Sequence, residues 1–187
     1  YNQAISLKPD YPEARSNLGI LFKELGKKNE AKESFSQAIA LKPDFVQAHN
    51  NLGATLKEMG RLDEAEASFT QAIALKPDFA DAHSNLGITL KELGRLDEAE
   101  SSYKQAIALK PDYAEAHSNL GVLLKELGRL EEAEASYRQA IALKPDYAEA
   151  HYNLGKTFQE SGKLDEAEAS YNQSIVLKPD YADAHNN

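Results

Sequence analysis

The sequence predicts an all-α solenoid of antiparallel helix pairs, and three observations predict it. The dipeptide Pro-Asp returns at 9, 43, 77, 111, 145 and 179, always at an interval of 34 residues. Residues 80–113 laid over 114–147 are identical at 28 of 34 positions. Inside each period, glycine and acidic punctuation separates two stretches whose apolar residues recur at helical spacing, and strand signals are absent. Self-similarity at 20–50 residues marks a solenoid, in which each unit buries its apolar face only against its neighbours. Five full repeats follow: 12–45, 46–79, 80–113, 114–147 and 148–181. Residues 1–11 read as the second helix of a truncated repeat and 182–187 as the start of another, within one array spanning 1–187.

Each repeat divides into two predicted helices. In the second repeat, Asp44 after Pro43 is placed as an N-cap, with Gln47 three residues on to complete a capping box. Asp78 with Asp81, Asp112 with Glu115 and Asp146 with Glu149 hold the same places. The first helix then carries Ala48, Leu52, Leu56 and Met59 on one stripe. It stops at Gly60, as its counterparts stop at Gly26, Gly94, Gly128 and Gly162, because glycine takes the left-handed C′ conformation without a Cβ penalty. Asp63 with Glu66, Asp97 with Glu100 and Asp165 with Glu168 are read as restarting a second helix. Its stripe is Ala65, Phe69, Ala72 and Ile73, and the next Pro-Asp ends it.

The packing is also written in the pattern. Gly19, Gly53, Gly87, Gly121 and Gly155 fall in helix interiors, where glycine costs about 1 kcal/mol relative to alanine. Repetition of that cost predicts an approach too close for a side chain. Ala31, Ala65, Ala99, Ala133 and Ala167 suit the same contact, and Phe35, Phe69, Tyr103, Tyr137 and Tyr171 fill the larger gaps. A short turn makes the helices of a pair antiparallel, and one offset applied repeatedly generates a superhelix with a concave face.

Composition narrows the functional classes. The 187 residues are 42% hydrophobic and 27% charged, a globular balance with enough apolar residues for a core. No apolar run approaches the ~20 residues of a membrane span, so no membrane contact is expected. The net charge of −9 argues against nucleic acid, whose phosphates such a surface repels. With no cysteine there is neither disulfide nor thiolate metal site. No secretory leader is read, although the sequence begins at Tyr1 rather than Met, and a cytoplasmic or nuclear location is expected.

Leu52, Gly53, Leu56, Ala65, Phe69, Ala72 and Pro77, with their equivalents in the other repeats, resemble the tetratricopeptide (TPR) pattern over the whole chain. One place departs from it: Arg15, His49, His83, His117, His151 and His185 stand where the family usually has Trp. The resemblance implies a right-handed superhelix whose first helices line a groove for extended or helical peptides. Its inner face is then expected to show the second, fifth, sixth, ninth, twelfth and thirteenth places of each repeat. The second place holds Glu13, Gln47, Asp81, Glu115 and Glu149. The fifth holds Ser16, Asn50, Ser84 and Ser118, then Tyr152. The sixth is always asparagine: Asn17, Asn51, Asn85, Asn119, Asn153 and Asn187. At the ninth stand Ile20, Ala54, Ile88, Val122 and then Lys156. Lys23, Lys57, Lys91 and Lys125 hold the twelfth before Gln159, and Glu24, Glu58, Glu92, Glu126 and Glu160 the thirteenth.

The asparagine row carries the most information. A side-chain amide offers the donors and acceptor that a peptide backbone needs, so a regular row could hold an extended chain almost regardless of its side chains. The row is similar to the asparagine ladder lining the TPR array of O-linked N-acetylglucosamine transferase. The competing reading is that these amides bond to neighbouring helices, or are copies left by duplication. A clamp for acidic chaperone tails requires basic residues at the fifth and sixth places, and Ser, Asn and Tyr stand there. Repeat 148–181 departs most from the common pattern, and Tyr152 with Lys156 marks either a preferred contact or sequence drift.

Other signals are discounted. The histidines sit one per repeat, on helices whose axes are packed roughly 8–10 Å apart, too far to share a zinc ion held at about 2.1 Å. Gly155-Lys156-Thr157 lacks the earlier glycine of a phosphate loop, and Asn172-Gln173-Ser174 is a sequon within a helix. The carboxylates recur with the repeat on exposed faces, and no nucleophile and base stand out, so no enzyme and no cofactor are expected. The sequence therefore points to a scaffold for protein or peptide ligands. The alternatives are the substrate-recognition arm of a larger enzyme such as a glycosyltransferase, and a self-associating array. End-to-end stacking through uncapped terminal repeats is expected in either case.

Overall fold

The computed structural model describes residues 11–179, and within them every element is a helix. These ten helices alternate in two classes. The first helices of the repeats are α1 (Pro12–Glu24), α3 (Val46–Glu58), α5 (Ala80–Glu92), α7 (Ala114–Glu126) and α9 (Ala148–Glu160). The second helices are α2 (Lys28–Leu41), α4 (Leu62–Leu75), α6 (Leu96–Leu109), α8 (Leu130–Leu143) and α10 (Leu164–Leu177). The chain divides into two compact units at Ala99 and Glu100, inside α6. Within the first unit α1 packs on α2, α2 on α3, α3 on α4 and α4 on α5; within the second, α7 packs on α8, α8 on α9 and α9 on α10.

The turn within each pair is made by the expected glycine. Gly60 has φ +74° and forms a Schellman closure with its successor: Gly60 N–H donates to Lys57 O (2.9 Å) and Arg61 N–H to Leu56 O (3.0 Å). The same two bonds recur at Gly26, Gly94, Gly128 and Gly162. Arg61, the last residue of that closure, is also the N-cap of α4, so a single residue ends one helix and begins the next. The second helix thus starts at Arg61, two residues before the Asp63 that the pattern reads as restarting it. Asp63 lies inside the first turn of α4, where it acts on the positive end of the helix dipole.

A second correction applies to the first helices. Asp44 does not cap α3; Phe45 is the N-cap residue, and no side chain bonds the free N–H groups. Phe79, Tyr113 and Tyr147 hold the same place at α5, α7 and α9. Phe45 N–H donates to Lys42 O (3.0 Å), closing a turn in which Pro43 and Asp44 are the middle residues, the setting that suits the fixed φ of proline. The aromatic is needed on the inside. Phe79 is buried with Ala72 and Ala82, and a lysine ammonium lies over each ring: Lys42 over Phe45 at 5.1 Å, Lys110 over Tyr113 at 4.5 Å.

Four of the interior glycines face an aromatic ring from the partner helix. A Cβ on Gly53 would stand 2.8 Å from Phe69, on Gly19 2.7 Å from Phe35, on Gly121 2.8 Å from Tyr137 and on Gly155 2.8 Å from Tyr171. The close neighbour predicted for these positions is thus a side chain, lying flat on bare backbone. Phe69, with Leu56 and Ala65, anchors the core of its pair. Successive second helices are tied by charge: Arg95 reaches Glu66 (2.6 Å), Arg129 reaches Glu100 (2.7 Å) and Lys163 reaches Glu134 (2.9 Å).

Candidate functional site

The first helices present the predicted rows, and the structure sorts them. The fifth place is largely taken into packing, Asn50 alone among its described residues being half-buried. Ser16, Ser84 and Ser118 are buried at 4%, 2% and 2% exposure, and Ser118 hydrogen-bonds the Tyr147 hydroxyl, whose pKa burial nevertheless raises. Helix register decides this: the fifth place faces the start of the following first helix, as Ser118 does Tyr147, the N-cap of α9, and a small side chain lets the two approach. Tyr152 at the same place is 9% exposed, 5.7 Å from the Tyr171 ring, with the Lys156 ammonium 5.6 Å from its own ring centre.

The sixth place stays open. Asn17 is exposed and Asn51, Asn85, Asn119 and Asn153 are half-buried. Asn85 Nδ2 donates to Asn50 Oδ1 (3.2 Å), and among the described residues of the row no other asparagine side chain bonds within the protein. The twelfth and thirteenth places pair across repeats: Lys23 Nζ lies 3.0 Å from Glu58, and Lys125 Nζ 3.0 Å from Glu160. Lys57 and Lys91 are half-buried, and Glu92 and Glu126 are exposed. At the second place, Glu13 lies 3.6 Å from Lys42 and Glu115 3.6 Å from Lys144.

In the first unit these rows converge on a recess of about 450 Å³ lined by Ile20, Lys23, Glu24, Phe35, Asn51 and Glu58. Two successive first helices supply its walls with an amide, an ion pair and an aliphatic side chain, Ile20 being 40% exposed. Its floor is Phe35, the ring under Gly19, which the sequence pattern marks only as packing. Position alone could have found it. The aromatic crosses the glycine gap and so reaches the groove side of its pair.

The histidines do other work. Nε2 of His49 and His83 lies 2.9 Å from the carbonyls of Pro43 and Pro77, and that of His117 and His151 3.1 Å from those of Pro111 and Pro145. A carbonyl only accepts, so Nε2 carries the proton and each ring locks the turn before its own helix. His185 and Asn187 lie outside the described residues. The side of the second helices carries matching recesses in the two units, about 330 Å³ around Ile39, His49, Leu52 and Gln71, and about 400 Å³ around Ile141, His151, Leu154 and Gln173.

Helix pairs of fixed length, a glycine–aromatic contact inside four of them and a Schellman turn at each bend define a tetratricopeptide repeat protein. The chain belongs to the family described as the Cilia and flagella-associated protein 70 C-terminal domain, whose pattern matches residues 3–186. No curated protein is matched by the chain. Solved structures share the fold. TTC0263, a thermophilic TPR protein of Thermus thermophilus, is 27% identical, with a TM-score of 0.76 over 94% of this chain and 96% of its own. YrrB, described as a TPR protein with an unusual peptide-binding site, is 22% identical, with a TM-score of 0.74 over 99% and 95%. PilF of Pseudomonas aeruginosa is 19% identical, with a TM-score of 0.85 over 92% and 79%.

Proposed function

We propose that the chain is a non-catalytic interaction scaffold that holds an extended peptide along the face of its first helices. Asn17, Asn51, Asn85, Asn119 and Asn153 bond the peptide main chain, as in the asparagine ladder of O-linked N-acetylglucosamine transferase. Lys23, Lys57, Lys91, Lys125 and Lys156, with the glutamate row, set which side chains are accepted. One observation carries this reading: the 450 Å³ recess gathers Asn51 with Ile20, Lys23 and Glu58 from two successive repeats. An unbonded amide beside an aliphatic wall is what a passing backbone and its side chain require. The pairing of Lys23 with Glu58 neutralises the cation, which favours a neutral ligand over an acidic tail. A superhelical course and a cytoplasmic or nuclear location belong to the same proposal. So does contact between copies through Leu164 and Val176, which are 66% and 72% exposed.

The test is binding of the chain to an unbiased library of extended peptides, beside Asn51→Ala, Asn85→Ala and Asn119→Ala combined. Broad binding by the wild type, lost in a triple variant whose helix content is unchanged, is the expected result. Equal binding by both forms would make the asparagines structural and sink the reading.

A further inference from the structure

Among the described residues, one buried side-chain polar atom lacks a hydrogen-bond partner, the Tyr137 hydroxyl. The residue is fully buried, and an unmet hydroxyl in that setting costs about 1–3 kcal/mol. Such a group calls for an explanation in terms of what meets it. Tyr137 occupies the place of Phe35, the floor of the recess in the first unit. In the sequence of the second unit, Val122, Lys125, Glu126, Asn153 and Glu160 hold the places of that recess's wall residues. Lys125 and Glu160 are paired at 3.0 Å, as Lys23 and Glu58 are.

The next repeat shows which chemistry satisfies that hydroxyl. Tyr171 holds the same place over Gly155, and its Oη donates to Gln159 Oε1 at 2.8 Å. Gln159 stands at the twelfth place, where the other full repeats have lysine. An amide carbonyl reaching in from the groove side is therefore the partner the fold itself supplies one repeat later. In repeat 114–147 the twelfth place is Lys125, which offers no acceptor and whose ammonium is turned to Glu160, and the hydroxyl remains unmet.

We propose that Tyr137 is a specificity-determining residue of the groove, whose hydroxyl donates to an amide carbonyl of the bound peptide entering between Lys125, Asn153 and Glu160. Phe35, at the same place in the first unit, has no such donor and takes an apolar side chain. The inference rests on the groove reading above and names the group taken at one of its subsites. The acceptor is neutral because the carboxylates of Glu149 and Glu160 act on the same hydroxyl, raising its pKa after the larger effect of burial, and would repel an anion. Lys125, whose side chain is 20% exposed, moves aside to admit the carbonyl.

Tyr137→Phe is compared with the wild-type chain on peptides selected from the library, and the free proteins are unfolded in urea. Affinity should fall roughly 3- to 10-fold, the range for one neutral hydrogen bond. The urea midpoint of the free protein should hold or rise, since the variant buries no unmet hydroxyl. Two arms identify the source of the carbonyl. Amide-to-ester replacements along the peptide weaken one main-chain acceptor at a time, and Gln→Ala or Asn→Ala replacements remove side-chain amides. At one position the loss should appear with the wild type and vanish with Tyr137→Phe. No coupling in either arm, or a lowered midpoint in Tyr137→Phe, would overturn the proposal while leaving the groove reading intact. Absence of peptide binding by the wild type would remove the groove reading, and this inference with it.

Discussion

Gly53→Ala separates two opposed effects at one atom. Inside α3, alanine is favoured over glycine by about 1 kcal/mol through backbone entropy. The added Cβ, however, stands 2.8 Å from Cε1 of Phe69 and 2.9 Å from both Cδ1 and Cζ. Carbon atoms rest about 3.5–4.0 Å apart, so the ring must retreat by roughly 1 Å. Phe69 is fully buried against Leu56 and Ala65, and displacing it is overpacking, which costs about 1–3 kcal/mol. The single variant should therefore be destabilised by about 0–2 kcal/mol. The sharper quantity is the coupling. In a Phe69→Leu background the planar ring is gone, and Gly53→Ala should recover its helix advantage. The effect of the substitution should differ between the two backgrounds by about 1–3 kcal/mol. Gly60→Ala is the control, for it meets nothing within 4 Å but sits at φ +74°. It should cost about 1–2 kcal/mol alike in both backgrounds. Urea unfolding followed by circular dichroism measures all of these. Equal effects of Gly53→Ala with and without the ring would refute the claim that the glycine exists for the aromatic.

Two further predictions concern charge. Lys32 stands where Glu66, Glu100 and Glu134 hold the cation of the following pair, so Arg61 lacks the tie that Arg95 has. Lys32→Glu should stabilise the first unit by about 0.2–1 kcal/mol at low salt, and ~1 M sodium chloride should erase most of the gain. Destabilisation at low salt would count against the tie. Glu100, with its side chain 13% exposed, has a pKa held low, first by hydrogen bonding to Lys104 and then to Arg129. A folded value below the unfolded one means stability that is present above the usual carboxylate range and lost as pH falls through the folded value. The urea midpoint of Glu100→Gln should therefore drop less than that of the wild type between pH 7 and pH 3. A parallel drop in both would show that Glu100 has no share in acid sensitivity.

The fold was legible because a repeat states its own alignment. The 34-residue interval fixed the pairs, and the glycines at 26, 60, 94, 128 and 162 fixed the bends. The helix starts were misplaced by one or two residues, for a physical reason. Pro-Asp resembles a cap, but Phe45 and its equivalents are drawn inward, leaving proline and aspartate to form the turn. The site was half legible. Asn51, Lys23, Ile20 and Glu58 do meet, because their places share one helix face. The fifth place failed because the periodicity of a single helix cannot say which of two neighbouring faces the next pair will cover. Phe35 escaped because it belongs to a second helix, and only the missing Cβ of Gly19 brings its ring through to the recess.

That passage through the glycine gap joins stability to recognition. In an array whose core positions are copied from repeat to repeat, a ring that crosses a helix pair is read on both sides: as packing from within and as groove floor from outside. Phe35, Tyr137 and Tyr171 are interchangeable as packing, since each lies where a Cβ on its glycine would come within 2.7–2.8 Å of the ring. They are not interchangeable as floor, for only the tyrosines present a hydroxyl, and one of these is already met by Gln159. Duplication would preserve the first property in every copy. The second can change by a single oxygen atom without disturbing the fold, so specificity in this chain should vary at exchanges such as Phe for Tyr and Lys for Gln, at the aromatic and twelfth places, rather than along the invariant asparagine row.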